Sequence, residues 1–298
     1  MIKVYKNEYK GWKDCVFITN GKVELVVTTE VGPRVIRYGL VGKENMMYED
    51  ASLLGKQGGD TWVNYGGHRL WHSPEMEVRT YCPDNTSYEY TLTEDGISTL
   101  QIEKEIGIEK RMEIVMDEDG SVELRHSVKN TNYWEIELSA WALTVLSPGG
   151  MEAIPVVRGP VALLPDRTMT LWPYTKMSDK RVYWGADMIT IKQDEKADCP
   201  FKIGLPNTSG VCVYFNHGQL FTKEHDHDVE EVYPDAGCSF ETYTNSAMLE
   251  METLSPLKLL KKDEEVVHYE RWNIIDGVEC PDARDEQAIA DVIQKYLG

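Results

Sequence analysis

Glu109-Lys110-Arg111-Met112-Glu113-Ile114-Val115-Met116-Asp117-Glu118-Asp119-Gly120-Ser121-Val122-Glu123-Leu124-Arg125-His126-Ser127-Val128 contains two strand-like runs and the turn that joins them. Apolar and polar residues alternate on both sides of Asp119-Gly120, the signature of half-buried strands. Asp-Gly suits a tight hairpin because both central positions of a type I′ turn require positive φ. On the returning strand Val122, Leu124, His126 and Val128 share one face by the two-residue period. His126 is therefore expected as a hydrogen-bonded core residue rather than a ligand.

The same pattern spreads outward in both directions. Val23 to Thr29 and Arg34 to Leu40 flank Gly32-Pro33, and Tyr88 to Thr93 and Ile97 to Glu103 flank Asp95-Gly96. Further strands are expected over Met188 to Lys192, Gly210 to Phe215, Ser239 to Thr244, Ala247 to Thr253 and Glu265 to Ile275. Only Asp285 to Leu297 changes period, placing Ala288, Ile289, Val292, Ile293, Tyr296 and Leu297 on one helical stripe. The expected fold is all-β: a large antiparallel β-sandwich with a short C-terminal helix at about 285–297. Pro148-Gly149-Gly150 and Pro155 to Pro165 mark a long irregular connection, but no Ser/Gly-rich linker or internal repeat divides the chain. One domain over 1–298 is expected, since all-β units commonly reach this size.

Composition narrows the partners. With 31 basic and 50 acidic residues the formal charge is −19, which repels phosphate backbones and anionic membrane surfaces. No run of apolar residues is long enough to span a bilayer, and the N-terminus lacks the apolar core of a secretory signal. The expected location is cytoplasmic, with a carbohydrate small molecule as partner, no nucleic-acid and no membrane partner, and a homodimer left open. Cys15, Cys82, Cys199, Cys212, Cys238 and Cys280 are scattered with no C-x-x-C pair, as expected of reduced thiols.

Chemistry concentrates in two places. Asn64-Tyr65-Gly66-Gly67-His68-Arg69-Leu70-Trp71-His72-Ser73-Pro74-Glu75, with Trp62 just before it, combines glycines, aromatic faces, donors and a carboxylate. Glycines admit close backbone approach, aromatic rings cover the apolar side of a sugar, and Arg and His donate to hydroxyls. In the second region Glu250 and Glu252 share one strand face, and Glu241, Tyr243 and Asn245 share another. Such carboxylates bind hydroxyls or act as bases when partly desolvated; a merely polar outer face is the competing reading. His68, His72 and Glu75, or His225-Asp226-His227-Asp228, offer metal-like donors, but neither has the helical spacing that stacks two imidazoles on one ion, so no metal and no cofactor is expected.

Three stretches in order resemble the galactose mutarotase-like proteins, in particular a bacterial branch of that superfamily. Val31-Gly32-Pro33-Arg34-Val35-Ile36 is similar to the early Gly-x-Arg-Ile strand of aldose 1-epimerases, Asn64 to Glu75 to their Gly-rich, His-containing segment, and Met251-Glu252-Thr253 to the Leu-Glu-Thr that carries their catalytic glutamate. The resemblance implies a supersandwich and an aldose 1-epimerase-like isomerase with Glu252 as base. Leu138 to Gly149, where these enzymes place a histidine acid, has none, so His68 or His72 is expected to substitute. Arg34, Asn64, Arg69, Trp71, Glu75, Lys202, Glu241 and Asn245 are the expected sugar contacts. A non-catalytic carbohydrate-binding or sensing protein, or a lyase or glycosidase on the same fold, are the alternatives.

Overall fold

Strand Ile108–Met116 pairs antiparallel with Val122–Asn130, with Met112 opposite His126, so the Asp119-Gly120 hairpin forms in the register its alternation predicts. The structure, a computed structural model, describes residues 1–160 and 162–297. Every strand pairing in it is antiparallel. Two large sheets result. One runs, in hydrogen-bonded order, through 3–9, 12–19, 23–28, 34–40, 68–73, 136–146, 249–254, 240–244, 201–205 and 170–171, with 258–260 joined to 136–146. The other runs through 182–184, 188–192, 151–155, 211–216, 219–225, 265–276, 122–130, 108–116, 96–103 and 89–92.

The sheets meet through one apolar layer that includes Leu25, Val35, Leu70, Met112, Leu124, Phe201, Phe240, Met251 and Trp272. Helix Glu286–Leu297 lays Ile289, Val292, Ile293, Tyr296 and Leu297 on the outer side of the second sheet, against Met151, Met188, Val213 and Leu220. The expected sandwich and terminal helix are therefore present. Strands over Lys3–Tyr9, Trp12–Thr19, His68–Ser73, Phe201–Leu205 and Gln219–His225 come in addition to those expected. His68–Ser73 falls in the Gly-rich segment for which no strand is expected from the sequence. It is instead a central strand whose six residues are all buried, because the inter-sheet core covers one face and a cluster of tryptophans the other.

Gly66 and Gly67 enter that strand at φ 91° and 69°. A Cβ on Gly66 would lie 2.2 Å from the carbonyl oxygen of Tyr48, and one on Gly67 2.4 Å from that of Val35. The paired glycines thus let backbone approach backbone, not a ligand. All six cysteines are free. Among the described residues no helix is long and apolar enough to cross a membrane.

Candidate functional site

The pleat decides which side chains can meet. On the first sheet, Arg69 lies across from Leu143, Leu143 from Glu252, and Glu252 from Glu241, forming one row on the face turned away from the sandwich core. One step along, Lys202 lies across from Tyr243 and Tyr243 from Glu250. One step the other way, Trp71 lies beside Trp141. Alternate residues of the same strands, such as His68, Leu70, Thr144, Met251 and Phe240, point into the core.

Loops raise walls around this patch to enclose a cavity of about 440 Å³, within the ~300–1,000 Å³ typical of small-ligand sites. Its aromatic lining comprises Trp62, Trp71, Tyr81, Trp141, Trp172, Tyr174 and Tyr243, and its polar lining Asn64, Arg69, Glu75, Lys202, Glu250 and Glu252. The rings stack edge to face: Trp71 lies 4.9 Å from Trp62, 5.0 Å from Tyr81 and 5.5 Å from Trp141. Such contacts fix ring orientation as well as burying apolar area.

Both cations are held. Lys202 Nζ lies 2.7 Å from Glu241 Oε2 and 2.9 Å from Glu252 Oε2, over the faces of Trp141 and Trp172 at 4.9 and 4.6 Å. Arg69 pairs with Glu250 at 3.3 Å and lies over the Trp71 ring at 4.3 Å. Burial alone would lower the Lys202 pKa, but Glu252 and Glu241 outweigh it and keep the ammonium charged. Burial pushes the carboxyl of Glu252 up, and that of Glu241 well up, against the pull of the same lysine. Glu252 Oε2 also accepts from the Trp141 indole at 2.9 Å. Both hydrogen bonds of this carboxylate fall on Oε2, so Oε1 is left for whatever enters the cavity.

The expected residues divide accordingly. Glu252, Asn64, Arg69, Trp71, Glu75 and Lys202 line the cavity. Glu241 sits behind Lys202, and Arg34 is buried on the next strand in an ion pair with Asp84 at 2.5 Å. Asn245 caps the turn into the 249–254 strand, accepting from the Ala247 and Met248 amides. His68 and His72 are not in the cavity: they are even-numbered on a strand whose odd-numbered Arg69 and Trp71 face it. Glu250, Tyr81, Trp141, Trp172 and Tyr174 were not among the expected contacts. Trp141 stands in the segment noted for its missing histidine, and only pairing with Trp71 reveals its role.

His68 belongs to a polar network between the sheets, directly beneath the cavity floor. Lys223 Nζ donates to Thr144 at 2.8 Å, Thr144 lies 2.9 Å from His68 Nδ1, His68 Nε2 lies 2.8 Å from His126 Nε2, and His126 Nδ1 lies 3.3 Å from the carbonyl of His268. One consistent set of donors runs along this chain with both imidazoles neutral, and burial holds both histidines below their ordinary pKa. His126 is thus the core histidine expected. His68, His126 and Glu270 bring donors within 4.8 Å of one another, a spacing a metal ion could use. Burial would raise the Glu270 carboxyl, but Lys223, 3.0 Å away, leads the opposing charges that hold it below its ordinary range and supplies the positive charge there.

No family model and no curated protein matches the sequence. Solved structures do. A galactose mutarotase-like protein from Lactobacillus casei aligns at TM-score 0.58 and 7% identity over 88% of this chain and 100% of its own. The fold is that of the galactose mutarotase-like proteins. A candidate mutarotase from Salmonella typhimurium aligns at TM-score 0.55 and 10% identity over 92% of this chain and 97% of its own. A candidate aldose 1-epimerase from Escherichia coli K12 aligns at 0.51 and 9% over 92% and 99%. Identities this low speak for the mutarotase-like fold, while chemistry has to be argued from the cavity.

Proposed function

We propose that the chain is a carbohydrate-binding protein of the mutarotase-like fold, and that the tryptophan-lined cavity holds a neutral sugar. The observation that carries this reading is the joint presence of apolar ring faces and hydroxyl-binding groups in one basin: Trp62, Trp71, Trp141 and Trp172 beside Glu75, Glu250, Glu252 and Asn64. A sugar ring offers an apolar face to stack and a rim of hydroxyls to bond, and this lining provides for both. The indole nitrogen of Trp62 and Nε of Arg69 have no protein partner, so hydroxyl oxygens can accept from them. Three lining carboxyls face two cations that are already paired, which disfavours a phosphate or carboxylate on the ligand. Trp71→Ala should weaken monosaccharide binding by about tenfold or more in calorimetric titration, taking ~1.4 kcal/mol per tenfold. Unaltered affinity in that variant, or no saturable binding of hexoses by the wild type, would remove the reading.

One observation favours a second reading, in which the bound sugar also reacts. Glu252 combines a raised carboxyl with an unpartnered Oε1, the properties of a general base toward a sugar hydroxyl. Aldose 1-epimerase-type chemistry also needs an acid, and the two histidines considered for it, His68 and His72, face the core. Equilibration of freshly dissolved aldose anomers, followed by NMR, separates the readings. A wild-type rate above buffer background that falls ~10²–10⁴-fold in Glu252→Gln, with sugar affinity retained, supports catalysis; a wild-type rate at background supports binding alone.

A further inference from the structure

Beyond the sugar basin lies a larger cavity of about 720 Å³, enclosed between the 78–88 segment and the strand Gly96–Glu103 of the other sheet. Tyr81 belongs to the walls of both cavities. Its ring stacks on Trp62 and Trp71 on the basin side, its hydroxyl donates to Glu75, and the next residues, Cys82 to Asp84, wall the second cavity. Beneath them Arg34, paired with Asp84 of the second cavity, lies close enough to Arg69 of the first for their charges to repel.

We infer that the second cavity is a further sugar subsite, so that the ligand of this protein is a neutral oligosaccharide that spans Tyr81 rather than a single monosaccharide. This rests on the basin being a sugar site. The second cavity is built for hydroxyl donors. Asp84 and Glu103 line it with side chains 3% and 5% exposed, and each is only half used: Asp84 Oδ2 pairs with Arg34 and Glu103 Oε1 with Lys110, while Asp84 Oδ1 and Glu103 Oε2 have no partner. A buried carboxylate oxygen without a donor is costly, and a ligand hydroxyl would relieve it. Glu89 and Glu105 outnumber Lys104, the one lysine in the lining, so the rim stays net negative and opposes uronates and sugar phosphates. Tyr81 and Tyr88 supply the apolar surface. A single ring held on Trp71 leaves the second cavity empty, whereas a glycosidic bond past Tyr81 carries the next ring into it.

Calorimetric titration of the full chain with D-glucose and D-galactose, and with maltose, maltotriose, cellobiose, cellotriose and lactose, tests this. The best oligosaccharide should bind at least ~tenfold more tightly than its own monosaccharide, and Thr86→Trp, which fills the second cavity from an exposed position, should bring that ratio to within ~twofold. A ratio measured on one sample is insensitive to partial loss of folded protein. Equal affinity for monosaccharides and oligosaccharides overturns the second subsite and leaves the basin standing, as does a ratio unchanged in Thr86→Trp. Absence of binding by every sugar removes the basin reading, and the subsite with it.

Discussion

Lys202→Met isolates the electrostatics of the cavity floor. In the wild type one ammonium serves two carboxylates whose side chains are each 1% exposed. Methionine keeps most of the apolar stem and its packing between Trp141 and Trp172, but removes the charge. Glu241 and Glu252 then face each other across adjacent strands without their shared counter-ion, and breaking a buried pair in this way costs about 3–5 kcal/mol. The cheapest relief is protonation. Both carboxyls already stand above the ordinary 4.5 and would rise further. A carboxyl raised in the folded state binds its proton more tightly there than in the unfolded chain, so stability falls as pH climbs from the unfolded pKa toward the folded one, at up to ~1.4 kcal/mol per pH unit for each group. The variant should therefore lie within ~2 kcal/mol of the wild type at pH 5 and about 3–5 kcal/mol below it at pH 8. Urea denaturation followed by circular dichroism at the two pH values measures this. A deficit that is the same at both, or under ~1 kcal/mol at pH 8, would refute the shared-cation account.

Two further substitutions follow from buried titratable groups. Glu152, fully buried with Oε2 accepting from Thr242 at 2.7 Å, is pushed by burial to about 8, so its contribution is complete below 4.5 and is lost as pH rises from there toward 8. Glu152→Gln keeps the hydrogen bond and should flatten that part of the stability profile by up to ~1.4 kcal/mol per pH unit; identical wild-type and variant slopes in urea melts at pH 5 to 8 would count against it. His72 has no partner on either ring nitrogen and is lowered by burial to about 3, so it disfavours the folded state progressively as pH falls below 6.5. His72→Leu should be neutral or stabilising at pH 7, more stabilising at pH 5, and within ~twofold of wild type in sugar affinity; a tenfold loss of affinity would place His72 in the binding machinery after all.

The hairpin repeats were legible because each carried its own evidence: alternation for two strands and Asp-Gly or Gly-Pro between them. The terminal helix was legible for the same reason, since one stripe and one change of period define it. His68–Ser73 escaped because both of its faces are buried, which erases alternation, and because its preceding glycines imitate a ligand loop. Glu252 was found through the match of Met251-Glu252-Thr253 to a family pattern, and the two-residue period correctly set Glu250 beside it. The same period separates His68 and His72 from Arg69, but it could be applied only once the segment was known to be a strand.

By itself, the sequence determined many of the local elements, the all-β class, the acidic character and the two segments from which most of the cavity's polar groups come. It could do so because periodicity, turn chemistry and charge are properties of neighbouring residues. Only the tertiary structure decided which distant residues meet: Trp71 beside Trp141, Leu143 beside Glu252, Lys202 between Glu241 and Glu252. Those pairings depend on the order in which strands add to the sheet and on their registers, which bring together residues 181 apart such as Arg69 and Glu250. Register turns on the packing of a whole face, since a one-residue slip would exchange the core and cavity faces of a strand.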